Sequence, residues 1–334
     1  MGVPEDAVDK TERVSTDCPP VVLIVFNRPD LTEQVFAAVR QARPRQLLVV
    51  ADGPRDTHPA DVDLCAATRA AVAEVDWPCD VLRRYSERNL GCGPAVSGGI
   101  GWALDQVGEA LILEDDCLPD HSLFAFCAEL LDRYRSDDRV MQIAGHNWAA
   151  PSDGYLGYSY AFNAFSPIWG WATWRRAWEK YDFHMRTWPQ FRESGMLRGL
   201  PFGRRGQAVL SEYWNRAHEG RGTWDHQWQY AVMSHDGLSV SPSVNMVSNL
   251  GFRADATQTV LEGDVSHMPM GSMPFPLRHP PFVAENPRVE EHFERVLVEH
   301  TGRGVELLRT IVPSHRLRRL LKRGLHAARR RPAT

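Results

Sequence analysis

Continuous apolar, β-branched runs constrain this chain more than any other feature. VVLIVF (21–26), QLLVVAD (46–52) and EALILEDD (109–116) hold their apolar residues without polar interruption. A strand with one wet face alternates apolar and polar residues, whereas a strand covered on both faces reads as an unbroken apolar run. CDVLRRY (79–85) supplies a further strand. Helical patterns separate these runs: Leu31, Val35, Phe36 and Val39 share one helix face, and residues 59–75 and 94–107 are two more helix candidates. Four strand-then-helix units in succession predict an α/β fold with a mostly parallel sheet and helices on both faces.

The second half has a different texture. DRVMQIAGHNW (138–148) reads as a strand, and nine of the eleven tryptophans fall between Trp148 and Trp228, in short segments broken by Gly and Pro. Trp171, Trp174 and Trp178 have the spacing of one helix face, which predicts core packing. Residues 287–331 are helical in pattern. No internal repeat or low-complexity linker divides the chain. The expected organisation is a flexible leader (1–18), one continuous domain (19–286) changing character near 137/138, and C-terminal helices ending in a basic tail (287–334).

The net charge of −4 argues against a nucleic-acid-binding surface. Residues 316–334 hold eight of the 38 basic residues and no acid, so the rest of the chain carries −12. No stretch approaches the ~20 apolar residues of a membrane span, and the polar N-terminus lacks a signal-peptide core. Six cysteines without a CxxC pair read as reduced thiols, and a cytoplasmic location is expected.

In parallel α/β sheets ligands sit beyond the carboxyl ends of the strands. Asp52, the 84–89 segment and Glu114-Asp115-Asp116 all fall there. Adjacent carboxylates repel unless a cation or hydrogen bonds offset them, and a divalent ion bridging to a diphosphate is one resolution. Gly91 lets backbone approach a ligand, and the helix start near Pro94 offers N–H groups to phosphate. The glycine pattern is neither a P-loop nor a dinucleotide-binding fingerprint. Asp225 begins a helical run that continues through Gln229 and Val232, where it suits either an N-cap or a base; Asp182 and Glu219 are rival bases.

LILEDDCLPD, VVLIVFNRPD, VVADGPRD and SERNLGCGPAVSGGIGWAL resemble segments of the GT-A glycosyltransferases, in the forms found in bacterial family 2-like transferases and the N-acetylglucosaminyltransferase I group. The resemblance spans about residues 20–285. It implies a Rossmann-like GT-A fold with a nucleotide-sugar half (19–137) and an acceptor half (138–286). It implies Mn²⁺ or Mg²⁺ held by Asp116, with Asp115 facing the ribose or sugar and Glu114 behind it or against the donor sugar. Phe26, Asn27, Arg28 and Asp52 would hold the nucleoside, joined by Arg88, Asn89 and Gly91. SPIWGWATWRRAWEKYD looks like an acceptor-side segment, with Trp169, Gly170 and, further on, Trp224 lining a sugar site. Asp225 would be the base of a metal-dependent, inverting transfer from a nucleotide sugar, UDP-linked by expectation, to a hydroxyl acceptor.

One position departs from the pattern. Relatives read Asp-Ala-Thr-His-Thr after NLGF, where this chain has Gln258 in place of the histidine, which puts the strength of metal binding in question; His267 and His279 are candidate stand-ins. A sugar-1-phosphate nucleotidyltransferase shares the layout but normally carries a Gly-rich basic loop that FNRPD lacks. A non-catalytic carbohydrate-binding protein on the same fold is the other alternative. The amphipathic basic segment 316–331 reads as a peripheral contact with the inner membrane face, as a helix docked on the acidic body, or as a solvated tail.

Overall fold

The computed structural model describes residues 18–148, 153–252 and 268–300. The expectations for the leader 1–17, for Gln258, for His267 and for the basic segment 316–331 lie outside the described residues. The first half runs β1 (Val21–Val25), α1 (Pro29–Ala42), β2 (Gln46–Ala51), α2 (Asp61–Ala71), β3 (Asp80–Tyr85), α3 (Cys92–Val107) and β4 (Glu109–Glu114). There follow β5 (Cys117–Pro119), α4 (Ser122–Arg133), β6 (Val140–Ala144), β7 (Tyr160–Asn163), β8 (Trp171–Trp174) and α5 (Arg175–Trp178). The rest comprises α6 (Trp188–Glu193), α7 (Arg204–His218), α8 (Trp224–Ser234), β9 (Leu238–Pro242), β10 (Val247–Asn249) and α9 (Pro287–His300).

Eight strands form one sheet in the order β3-β2-β1-β4-β8-β6-β9-β7. The first four are parallel. β8 is antiparallel to both neighbours, β4 and β6; β9 is parallel to β6, and β7 is antiparallel to β9. The expected mostly parallel α/β sheet is therefore present, and it continues without a break through residue 137 into the tryptophan-rich half. β5 and β10 pair as a separate antiparallel ribbon.

The unbroken apolar runs have the cause expected of them. Val21, Leu23 and Val25 of β1 face the cluster that holds Val35, Phe36 and Val39 of α1 and Phe126 and Leu130 of α4. Val22 and Ile24 face the other cluster, with Val96, Ile100 and Leu104 of α3. A strand with a hydrophobic core on each side has no position for a polar residue. β3 at the sheet edge differs, and its DVLRRY carries mostly exposed side chains.

The tryptophan spacing is a correction. Trp171 and Trp174 are not on a helix: they open and close strand β8, and only Arg175–Trp178 is helical. Three residues apart on a strand means opposite faces, and Trp171 lies in the α3-side cluster while Trp174 lies in the α1/α4-side cluster. Burial, the other half of the expectation, is as read. Trp171 sits at the centre of a ring cluster, 5.9 Å from Trp224, 5.5 Å from Trp228 and 6.0 Å from Trp178. A third cluster joins α6, α7, α8 and α9, with Trp188, Trp214 and Tyr230 edge to face and Phe293 of α9 stacked on Phe165. No helix among the described residues is long and apolar enough to cross a membrane.

Removing the central ring tests this packing. Trp171→Ala should cost ~3–5 kcal/mol, the usual range for a fully buried large aromatic, read as a lower midpoint in urea denaturation. Trp102→Ala, at a partly buried position packed against the same cluster, should cost clearly less.

Candidate active site

A cavity of about 670 Å³ opens beyond the carboxyl ends of β1, β2 and β4. The chain moves from β1 outward to β2 and β3, then returns to the other side of β1 as β4. This reversal creates a crevice between the ends of β1 and β4, the place where open α/β sheets bind ligands. Phe26 and Arg28 leave one strand there, Glu114, Asp115 and Asp116 leave the other, and all five line the cavity.

The three carboxylates are held unequally. Asp115 accepts the Phe26 backbone N–H at 3.2 Å. Asp116 accepts Arg28 Nη1 at 2.8 Å, and the same nitrogen is 3.6 Å from Asp115. The Glu114 carboxylate makes no hydrogen bond or ion pair among the described residues. Burial, then the charges of Asp116, Asp115 and Asp225, push its pKa well above the carboxylate range. Asp115 is pushed up to about 7 by burial and by Asp116, against the opposing pull of Arg28. One guanidinium thus serves two of the three adjacent carboxyl groups.

Asp225 lines the same cavity from α8. Thr223 is the N-cap of α8 by its extended backbone, and Asp225 is in the first turn with its carboxylate accepting the Thr223 hydroxyl. Asp225 therefore does not cap the helix; it projects into the cavity, near enough to Glu114 to raise that residue's pKa. The rival bases fall away. Asp182 is occupied by the His184 and Arg186 backbone N–H groups and the Arg186 side chain, Glu219 is paired with Arg221, and neither lines the cavity.

Several site expectations need correcting. Asp52 lines the cavity, but its four acceptor positions are used within the chain. Oδ1 accepts the Gly53 and Leu90 N–H groups, and Oδ2 accepts Asn89 Nδ2 and the Gly91 N–H. A carboxylate has about four such positions, so Asp52 pins the 89–91 loop instead of waiting for a nucleoside. Gly91 of that loop has φ +84 and precedes α3, whose first turn faces the cavity. Arg88 is exposed and absent from the lining; its backbone abuts Gly53, where any Cβ would lie 2.4 Å away. Asn27 turns from the cavity to donate to Asp61 at 2.8 Å. Gly170 (φ +58) is buried behind the wall against Val247, while Trp169 lines it. Trp224 reaches the wall only from within the ring cluster around Trp171 and is 2% exposed. His279 bonds Tyr160 and Glu129 and does not line the cavity.

Sequence reasoning missed Arg55. Its guanidinium forks onto the buried Asp61 at 2.5 and 2.9 Å and lies 5.3 Å from the Phe26 ring centre, on the cavity wall. Asp61 is held down to about 2 by this Arg55 fork and the Asn27 bond. The far half of the cavity was also missed, apart from Trp169: His146, Trp148, Phe165, Tyr213 and Trp214 form an aromatic wall. Neither group carries a local motif, because each is assembled from distant segments.

No group of three or more His, Cys, Asp or Glu side chains among the described residues is arranged to hold a metal ion by itself. Asp115 and Asp116 do fit a cation that takes its remaining oxygens from a bound phosphate or water, the usual arrangement for Mg²⁺.

No protein-family model matches the sequence, and no curated protein matches it. Among solved structures, mouse xyloside xylosyltransferase 1 in its apo form is similar, with a TM-score of 0.33 and 10% identity, over 66% of this chain and 83% of that one.

The carboxylate cluster sets a pH dependence. Glu114 and Asp115 keep protons in the folded chain that an unfolded chain releases near pH ~4. Stability is therefore lost as pH rises from there through about 7, where Asp115 ionises. Glu114→Gln should raise Tm at pH ~8 by ~2 °C or more, the effect of about 1 kcal/mol in a large domain. The gain should vanish near pH ~3, below the unfolded-state pKa of ~4.3, where Glu114 is protonated in both states; differential scanning calorimetry from there to pH ~8 checks it.

Proposed function

We propose that this chain is a GT-A-type glycosyltransferase that moves a sugar from a nucleoside diphosphate, UDP by preference, to a hydroxyl acceptor with inversion. One observation carries the reading: a carboxylate run at the β1/β4 crevice shares one cavity with a further carboxylate, Asp225, and with an aromatic wall. A diphosphate cannot enter an acidic crevice without cations. Asp116 and Asp115 would hold a divalent ion, which supplies a positive charge against the leaving diphosphate. Arg28, on the same carboxylates, supplies a second, and the first turn of α3 presents backbone N–H groups near Gly91.

Phe26 and Arg55 form the wall on the nucleoside side. Asp225 accepts the proton of the acceptor hydroxyl as its oxygen bonds the anomeric carbon; the bond from that carbon to the diphosphate oxygen breaks, and the nucleoside diphosphate leaves. The Thr223 hydroxyl on Asp225 fixes which oxygen faces the acceptor. The aromatic wall excludes water that would otherwise take the sugar.

The test is a panel of nucleotide sugars with Mn²⁺ and Mg²⁺, read by thermal shift and by donor hydrolysis. UDP-sugars should stabilise the protein and be hydrolysed slowly. No response to any nucleotide with metal would refute the proposal. Asp225→Asn should lower transfer by roughly 10²–10⁴-fold, the contribution of a positioned base, with UDP affinity unchanged. Survival of transfer in that variant would move the base elsewhere.

A further inference from the structure

One edge of the main sheet is left open in a form that a copy of itself completes. β3 is the last strand beside β2, and no strand among the described residues pairs with its outer side. The Asp80 N–H donates to the Arg45 carbonyl, and the Ser86 N–H to the Ala51 carbonyl. Direction alternates along a strand, so residues 80, 82, 84 and 86 turn their backbone groups to β2, while Val81, Arg83 and Tyr85 turn theirs outward. Outward groups on an exposed edge are a template for another strand.

The side chains of this strand carry unmatched charges. All of Asp80–Tyr85 except Val81 are exposed, Leu82 at 41%. Arg84 donates to the Gly98 carbonyl and Arg83 to the Ala73 carbonyl. Neither has an acid as partner, and the Asp80 carboxylate has no cation, among the described residues. Asp80, Leu82 and Arg84 share one face by the period of a strand, the face on which Leu48 and Val50 of β2 meet α3.

We infer that β3 pairs antiparallel with β3 of a second copy of this chain, about a two-fold axis. A two-fold relates the same patch on both copies, and two strands facing each other across it in one sheet run antiparallel. The outward groups at 81, 83 and 85 allow only registers that differ by two residues. With Val81 opposite Arg83 of the second copy, the strands exchange about four backbone hydrogen bonds. Leu82 then meets its own counterpart at the axis, flanked on each side by Asp80 of one copy against Arg84 of the other. These are the close, non-hydrogen-bonded positions, where cross-strand side chains interact most. Sliding one way sets Arg83 against Arg83 and Leu82 against Arg84. Sliding the other way sets Leu82 against Asp80 and Arg84 against Pro78. Only the first register matches charge with charge and apolar with apolar. Charge usually keeps an edge from pairing; this edge carries both signs, and the two-fold brings opposite signs together.

A strip of six residues is small against the ~1,200 Å² of a stable interface, so the dimer is a weak one, with a Kd of roughly a micromolar or more. The paired strands run in opposite directions, so the two cavities, beyond carboxyl ends of each sheet, open at opposite sides and neither obstructs the other.

The test is sedimentation velocity on the full chain over ~1–100 µM, a range suited to such a Kd. Wild type should pass from monomer to dimer with concentration, less readily in ~0.5 M salt than in ~50 mM, as the Asp80–Arg84 pairs are screened. Val81→Pro removes an outward N–H without touching the β2 ladder, the kind of position at which an edge strand accepts proline. It should stay monomeric with an unchanged far-UV spectrum. Asp80→Arg and Arg84→Asp should each weaken the dimer by roughly tenfold or more, since each sets like charges opposite one another twice. An equimolar mixture of these two variants should regain the wild-type affinity, because every Arg at 80 or 84 then faces an Asp of the other chain. A wild type that stays monomeric at ~100 µM would overturn the inference. So would a dimer that survives Val81→Pro and both charge variants, or folded charge variants that fail to rescue each other when mixed.

Discussion

The return of β4 beside β1 is the constraint on which the site depends. It brings three consecutive carboxylates to the mouth of a sheet whose neighbouring strand ends in one backbone N–H and one arginine. Arg28 bonds Asp116 and stands near Asp115, and Glu114 is left with its charge opposed by burial and by its neighbours. Nothing in the packing of the core asks for this arrangement, since an apolar or amide side chain at 114 would fold more easily. Local destabilisation kept at a crevice is a mark of functional sites.

The fold was legible because its main signal is redundant. Each buried strand must be apolar on both faces, and β1, β2 and β4 each state that in one short run; the helices between them repeat it with a second period. The tryptophan segment had no such redundancy. Trp171, Trp174 and Trp178 fit a helix by spacing, but β8 ends at Trp174 and a single helical turn follows. All three rings are buried in either geometry, so burial alone could not tell one from the other.

Glu114–Asp116 and Asp225 are placed by the ends of a strand and a helix, and their own segments announce both. Asp52 was readable as a residue at a strand end, but its task was not: the groups that consume its oxygens come from residues 89–91, nearly forty positions away. Arg55 shows the same limit, since its meaning depends on Asp61 and on the Phe26 ring. Asn27 and Arg88 lie in segments that border the cavity and face elsewhere, because proximity along the chain does not fix the direction of a side chain.

The two halves of the cavity differ in electrostatics, and one helix spans both. Near the crevice the wall is acidic and asks for cations; beyond it the wall is aromatic and neutral, with His146 kept uncharged by burial. Asp225 in the first turn of α8 belongs to the acidic half. Gln229, four residues later and so on the same helix face, accepts the Ser166 N–H at 3.0 Å and donates to the Ala164 carbonyl at 2.9 Å. It thereby holds the 164–168 segment, from which Phe165 and Ser166 enter the aromatic wall. The carboxylate proposed as base and the clamp on the 164–168 segment are thus carried by one helix, itself buried through Trp224, Trp228 and Val232. Positioning catalysis needs its groups held to a fraction of an ångström. A helix that carries Asp225 and also clamps the 164–168 segment holds the two in fixed relation.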